Sequence, residues 1–193
     1  TRRSFDLYGA LVLKALMGPK MPFSSEVVSD YFLPDYVNKD TLVVLTSYSG
    51  TTEEVLSCAE EAKEKGAKIL VLTKGGPLEQ FAKDNNIPSY IFDGKLNLSG
   101  APRVGCGYTI LGLIGLLSKT GVIQFQVNEM AEALNKFEEE FEDIKKRAIS
   151  DYSKYVNKIP IIFASEHLSE NAQIFRNQFN ETSKTFSSYF IIP

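Results

Sequence analysis

Residues 41–73, TLVVLTSYSGTTEEVLSCAEEAKEKGAKILVLT, decide the fold. Thr41-Leu-Val-Val-Leu-Thr46 and Lys68-Ile-Leu-Val-Leu-Thr73 are short, nearly unbroken apolar runs rich in branched residues, and each reads as a strand covered on both faces. Between them, Thr51 to Lys65 has helical periodicity. Val55, Cys58, Ala59 and Ala62 form an apolar stripe, while Glu53, Glu54, Glu60, Glu61 and Lys65 form a wet side. Gly66 stands where a helix terminates. Strand, helix and strand make a βαβ unit, and strands that are apolar throughout imply a parallel sheet.

The pattern extends in both directions. Pro77 opens a helix to about Asn85, and Pro88-Ser-Tyr-Ile-Phe92 reads as the next strand. Upstream, Tyr8 to Leu16 reads as helix and Ser25 to Ser29 as a short strand. Val104 to Leu117 is apolar and interrupted by four glycines, which suits a helix packed closely against backbone and is too short to cross a bilayer. Gln126 to Ser150 is long, charged and helical. The βα pattern then restarts: Ile159-Pro-Ile-Ile-Phe-Ala164 is a strand, Asn171 to Lys184 a helix and Ser188-Tyr-Phe-Ile-Ile192 a strand. The expected architecture is α/β, a parallel sheet sandwiched by helices in three Rossmann-like layers. One domain covers 1–123 with its first strand missing, a linking helix covers 124–157, and a second, truncated domain of the same kind begins over 158–193.

Composition excludes several classes. The chain has 193 residues, 44% hydrophobic and 23% charged, with a formal net charge of -3. That composition is globular rather than disordered, and a mildly acidic chain lacks the basic surface that nucleic acid requires. Two cysteines, Cys58 and Cys106, are too few for a disulfide framework and read as buried thiols in a reducing compartment. With one histidine, His167, and no CxxC spacing, no metal site is expected. No leader pattern is seen, so the expectation is a cytoplasmic protein with no membrane partner.

The strongest chemical signal is Ser47-Tyr-Ser-Gly-Thr-Thr-Glu-Glu54, set between a buried strand and a helix start, where open α/β sheets bind ligands. Gly50 permits a tight turn with exposed amides. Ser47, Ser49, Thr51 and Thr52 place four hydroxyls around it, and the next helix adds its N-terminal donors and dipole. Such a group of short donors suits a phosphate dianion. A capping box of Thr51 with Glu54 would account for one hydroxyl, but not for four and a glycine. Lys74-Gly-Gly-Pro77 also follows a strand. It either lines the same pocket or serves simply as a turn before a helix that starts with Pro.

A strand followed by S-x-S-G-x-T-x-E resembles the signature of SIS domains, the sugar-isomerase fold, with Ser47, Ser49, Gly50, Thr52 and Glu54 in place. Ala101-Pro-Arg-Val-Gly-Cys-Gly-Tyr108 resembles the Pro-Arg segment of the bifunctional phosphoglucose/phosphomannose isomerases. Asn177-Gln-Phe-Asn-Glu-Thr-Ser-Lys184 resembles their N-Q-x-N-E-x-x-K helix, and Ser25 to Val37 their second strand and following loop.

The resemblance implies aldose–ketose isomerisation between glucose 6-phosphate or mannose 6-phosphate and fructose 6-phosphate through a cis-enediol. By it, Ser47, Ser49, Gly50, Thr51 and Thr52 bind the hexose 6-phosphate, Arg103 stabilises the enediolate and Glu181 is the base. No cofactor, metal or nucleotide is implied. A homodimer is expected, consistent with apolar helices such as 104–117. Taken as residues alone, Glu181 with Lys184 also reads as a solvated ion pair, and Arg103 as a contact for neighbouring acids.

By the same resemblance the first strand should end in a G-G-S loop. Thr1 to Leu7 shows none, and Asp6 falls about where its serine would stand. The family's ring-opening histidine and a late lysine have no counterpart; His167 precedes the N-E-x-x-K helix and reads as a surface residue. The chain thus reads as partial. The alternative function is a non-catalytic SIS module that senses a sugar phosphate. The blandest is an interaction domain whose Ser/Thr bend only caps a helix.

Overall fold

The computed structural model describes residues 8–192, apart from the side chain of Val127. The expectations about Asp6 and the start of the chain lie outside the described residues. The chain divides into two compact units, one ending at Ile123 and one beginning at Gln124.

In the first unit, β1 (Leu42–Ser47), β2 (Lys68–Thr73) and β3 (Ser89–Ile91) form a parallel sheet in the order β1-β2-β3. Leu42 pairs with Lys68 and Ser47 with Thr73, so β1 and β2 end level, and the loops that follow them leave side by side. Helices α2 (Glu53–Glu64) and α3 (Gly76–Asp84) cover one face. There Leu45, Cys58, Ala59, Ala62, Val71, Leu78, Phe81 and Ala82 make one apolar cluster with Leu33 and Val37. Helix α4 (Cys106–Lys119) covers the other face, where its Gly112 lies against Leu72 and Tyr90, and α1 (Tyr8–Met17) packs on α4. The result is a three-layer αβα unit with β2 at its centre, where Val71 and Leu72 are fully buried. Burying two such side chains contributes roughly 1.5–3 kcal/mol each, which is why the central strand can be apolar on both faces.

The helix stops are local. The Ala67 amide donates to Ala62 O at 2.9 Å and the Gly66 amide to Lys63 O at 3.0 Å, closing α2 with paired terminal bonds. One expectation fails: Ser25–Ser29 forms no strand. The stretch from Pro22 to Val27 is exposed, and the β preference of Val27 and Val28 counts only where a neighbouring strand or core packs against it.

The second unit contains α5 (Val127–Tyr155), β4 (Ile161–Ser165), α6 (Ser169–Glu181) and β5 (Ser188–Ile192). Strands β4 and β5 pair in parallel, with Phe163 opposite Phe190, and α6 makes the crossover. Along α5, Lys145 pairs with Glu142 at 3.6 Å and Lys146 with Asp143 at 3.2 Å, exposed contacts of small worth. Leu134, Phe137, Phe141, Ile149 and Tyr152 of this helix are exposed.

Candidate functional site

The carboxyl ends of β1, β2 and β3 carry three neighbouring loops, the position where parallel sheets present ligand groups. The first is the hydroxyl bend. Ser47 and Tyr48 are buried, Thr52 is half-buried, and Ser49 and Thr51 are exposed. The hydroxyls stand in two pairs: Ser47 Oγ lies 2.7 Å from Thr52 Oγ1, and Ser49 Oγ lies 2.8 Å from Thr51 Oγ1. Ser47 Oγ also accepts the Gly50 amide at 3.0 Å, and Ser49 Oγ accepts the Thr51 amide at 3.3 Å. The expectation of exposed amides around Gly50 is therefore corrected. The serines take those two amides, and the bend offers hydroxyls instead.

Capping does not account for this arrangement. The N-cap of α2 is Thr52 rather than Thr51, and it makes no side-chain capping bond. Its hydroxyl is turned to Ser47. An anion at this end of α2 would meet hydroxyl donors together with the positive end of a twelve-residue helix. Glu53 and Glu54 occupy the first turn, and Glu53 is exposed, so an anion there would also lie near two carboxylates.

The second loop, Lys74–Gly76, interlocks with the bend. The Lys74 amide donates to Tyr48 O at 3.0 Å and the Leu78 amide to Gly50 O at 3.1 Å. Gly50 has φ +71°, and a Cβ there would lie 1.8 Å from Gly75 O; a Cβ on Gly76 would lie 2.8 Å from Ser49 O. Thr73, fully buried, donates its hydroxyl to Gly75 O at 3.0 Å. The Gly-Gly pair thus does more than begin a helix: it lets two loops touch backbone to backbone, which holds the bend's shape. Lys74 itself is exposed beside the bend.

The third loop follows β3 and leads to Arg103. Arg103 is half-buried in a single 3₁₀ turn, Pro102–Val104, which Gly105 joins to α4. Gly105 sits against the ring of Tyr48, and Asn97 bonds to the Tyr48 hydroxyl at 2.8 Å. The structure therefore brings Ser47, Ser49, Gly50, Thr51 and Thr52 together in one bend and links the Arg103 turn to that bend. Nothing local in the sequence marks Tyr48, Asn97 or Gly105 as the link. Tyr48 stands between two serines, and Asn97 lies in an ordinary Asn-Leu-Ser-Gly turn.

Glu181 belongs to the second unit. It is the last residue of α6 and half-buried. The motif around it is anchored: Asn177 is buried, and Asn180 Oδ1 accepts the amide of buried Ser187 at 2.7 Å, closing the turn from α6 to β5. Arg176, one turn earlier, lies 5.4 Å above the Tyr189 ring. Among the described residues no ion pair joins Glu181 to Lys184, which is exposed with φ +52° just past the helix. His167 is exposed. Among the described residues no group of three or more His, Cys, Asp or Glu is placed to hold a metal, and no helix is long and apolar enough to cross a membrane. Cys58 and Cys106 are both unpaired thiols, and burial pushes each thiol's pKa up.

A parallel sheet between helix layers, with a hydroxyl bend after its first strand β1, defines a sugar-isomerase-type α/β domain, and the SIS domain model matches residues 20–89. The chain is 34% identical over 190 residues to the bifunctional phosphoglucose/phosphomannose isomerase of Caldicellulosiruptor bescii, covering 94% of this chain and 55% of that protein. It is 32% identical over 167 residues to the protein of the same name from Aquifex aeolicus, covering 86% of this chain and 49% of that one. A solved structure from Salmonella typhimurium LT2, described as a candidate phosphosugar isomerase, superposes with a TM-score of 0.67 at 18% identity. It covers 96% of this chain and 58% of that one, and shares the fold. The chain carries a SIS domain over residues 20–89 and is similar over most of its length to bifunctional phosphoglucose/phosphomannose isomerases. It spans about half the length of the curated relatives it matches.

Proposed function

We propose that this chain carries the phosphate-binding half, and one catalytic carboxylate, of an aldose–ketose isomerase acting on glucose 6-phosphate or mannose 6-phosphate and fructose 6-phosphate. The observation that carries the reading is the paired hydroxyls of Ser47 with Thr52 and Ser49 with Thr51 at the N-terminus of α2. A dianion entering there turns both pairs from each other to itself, and the exchange keeps every hydroxyl satisfied.

With the phosphate held, the chemistry needs a proton carrier and a fixed cation. Glu181 removes the proton from C2 of the open-chain aldose. The C2–H electrons form the C1–C2 double bond, and charge gathers on O1. Arg103 stabilises that enediolate. The O2 hydroxyl proton passes to O1, and Glu181 returns its proton to C1, leaving the ketose. The reaction is an isomerisation, so it balances without oxidant, reductant or cofactor. A homodimer in the cytoplasm, serving carbohydrate metabolism in the glycolytic or gluconeogenic direction, fits this reading. The two unpaired thiols are consistent with a reducing compartment.

The test pairs calorimetric titration of fructose 6-phosphate with tritium exchange between solvent and the sugar's C1 and C2 positions. Binding with exchange supports the isomerase. Binding without exchange makes the protein a sensor of sugar phosphates, and absence of binding reduces the bend to a structural turn.

A further inference from the structure

Arg103 and the hydroxyl bend come from distant parts of the chain, yet both ends of the arginine's turn rest on the same two side chains. Asn97 is 7% exposed. Its Nδ2 donates at 2.8 Å to the Tyr48 hydroxyl and at 2.8 Å to Ala101 O, and its Oδ1 accepts the Ser99 hydroxyl at 2.7 Å. A carbonyl can only accept, so Ala101 O requires the NH₂ group of Asn97 on its side, and both amide hydrogens are used. Ala101 immediately precedes the 3₁₀ turn, and the same carbonyl accepts the Val104 amide at 3.0 Å, closing it. Gly105 immediately follows the turn. A Cβ there would stand 2.3 Å from Tyr48 Cε2 and 3.0 Å from Asn97 Nδ2. The backbone of Tyr48 in turn runs directly between Ser47 and Ser49.

Tyr48 is itself braced. Its ring lies 5.2 Å from that of Phe92, which stacks on Tyr108 at 4.7 Å, and the Tyr108 hydroxyl accepts the Leu96 amide at 2.9 Å. The loop from Asp93 to Ala101 is therefore held at two points, through Leu96 and through Asn97. Only the second point touches both the bend and the arginine's turn.

We propose that Tyr48 and Asn97 are positioning residues that set the Arg103 turn at a fixed separation from the hydroxyl bend, so that phosphate grip and cation are aligned as one unit. This rests on the reading of the bend and Arg103 given above. Displacing a catalytic group by about 1 Å can cost about 100-fold in rate, so a buried clasp between the two is where such alignment would be held.

The test uses the intact protein with Tyr48→Phe, which keeps the ring and removes the hydroxyl, and Asn97→Asp, which removes both donors. Arg103 reactivity toward phenylglyoxal, read on its peptide by mass spectrometry, reports the turn directly. Tyr48→Phe should raise it about three- to tenfold, the worth of one hydrogen bond, and Asn97→Asp should raise it more. Turnover of fructose 6-phosphate should fall by a similar factor with KM changed less than about twofold. On an Arg103→Lys background, Tyr48→Phe should add little. Unchanged labelling in both variants overturns the clasp, as does a Tyr48→Phe loss that adds in full to Arg103→Lys. If labelling responds while the unaltered protein turns over no sugar phosphate, the clasp stands and the isomerase reading falls.

Discussion

In the unit that ends at Ile123, Leu70, Val71 and Leu72 of β2 are 4%, 0% and 0% exposed; in the unit that begins at Gln124, Phe163 of β4 and Phe190 of β5 are 64% and 54% exposed. Both are parallel pairs joined by a helical crossover, and both are built from similar apolar runs. The difference is what surrounds them. Strand β2 has a strand on each edge and helices on both faces, while the β4–β5 pair packs with α6 and its short leading 3₁₀ turn. A two-stranded sheet with one helix leaves one face open. The site follows the same division. The bend is anchored on buried Ser47 and Thr73, so its geometry is set by a core, whereas Glu181 sits at a helix end fixed by Asn177 and Asn180.

The sharpest way to probe that division is Glu181→Gln in the intact protein. Turnover should drop about 10²- to 10⁴-fold while calorimetry still shows fructose 6-phosphate bound, and retained turnover would take Glu181 out of the mechanism. Stability gives the next contrast. Leu72→Ala should cost about 2–5 kcal/mol in denaturant unfolding, whereas Phe163→Ala should cost under about 1 kcal/mol. Equal costs would mean that β4 is as well covered in the intact protein as β2, and the comparison would break.

Binding should divide the opposite way to turnover. Ser47→Ala and Thr52→Val should each weaken fructose 6-phosphate by roughly tenfold, since each removes a hydroxyl from one pair; unchanged affinity would place the phosphate elsewhere. The smallest effect concerns the thiols, which occur only in the first unit. Burial foremost, then the charges of Glu61, Asp30 and Glu54, raise the Cys58 pKa, and burial raises that of Cys106. A raised thiol is neutral in the folded state, so the stability it lends is whole below the unfolded-state value, about 8.5, and lost as pH rises through the folded value. Melting temperature should therefore decline above about pH 8.5, and less so in Cys58→Ala. A decline unaltered by that change would assign it to other groups.

Much of this molecule was legible one residue at a time. The unbroken apolar runs at 42–47 and 68–73 required cover on both faces and hence parallel pairing, and the density of hydroxyls after the first run marked the bend. These are properties of local pattern, because side-chain period and backbone preference act over a few residues. Contacts between distant segments were not legible. Val27 and Val28 look like strand residues but find no ladder, since β preference takes its value from a neighbour. Which hydroxyl pairs with which, the need for glycine at 50 where Gly75 O passes, and the tie from Tyr48 through Asn97 to the Arg103 turn depend on loops meeting at the ends of three strands. The sequence alone determined where hydroxyls cluster after a buried strand; the tertiary structure decided which side chains meet, because hydrogen bonds of under 3 Å between residues as distant as 48 and 97 exist only once the sheet has brought their loops together.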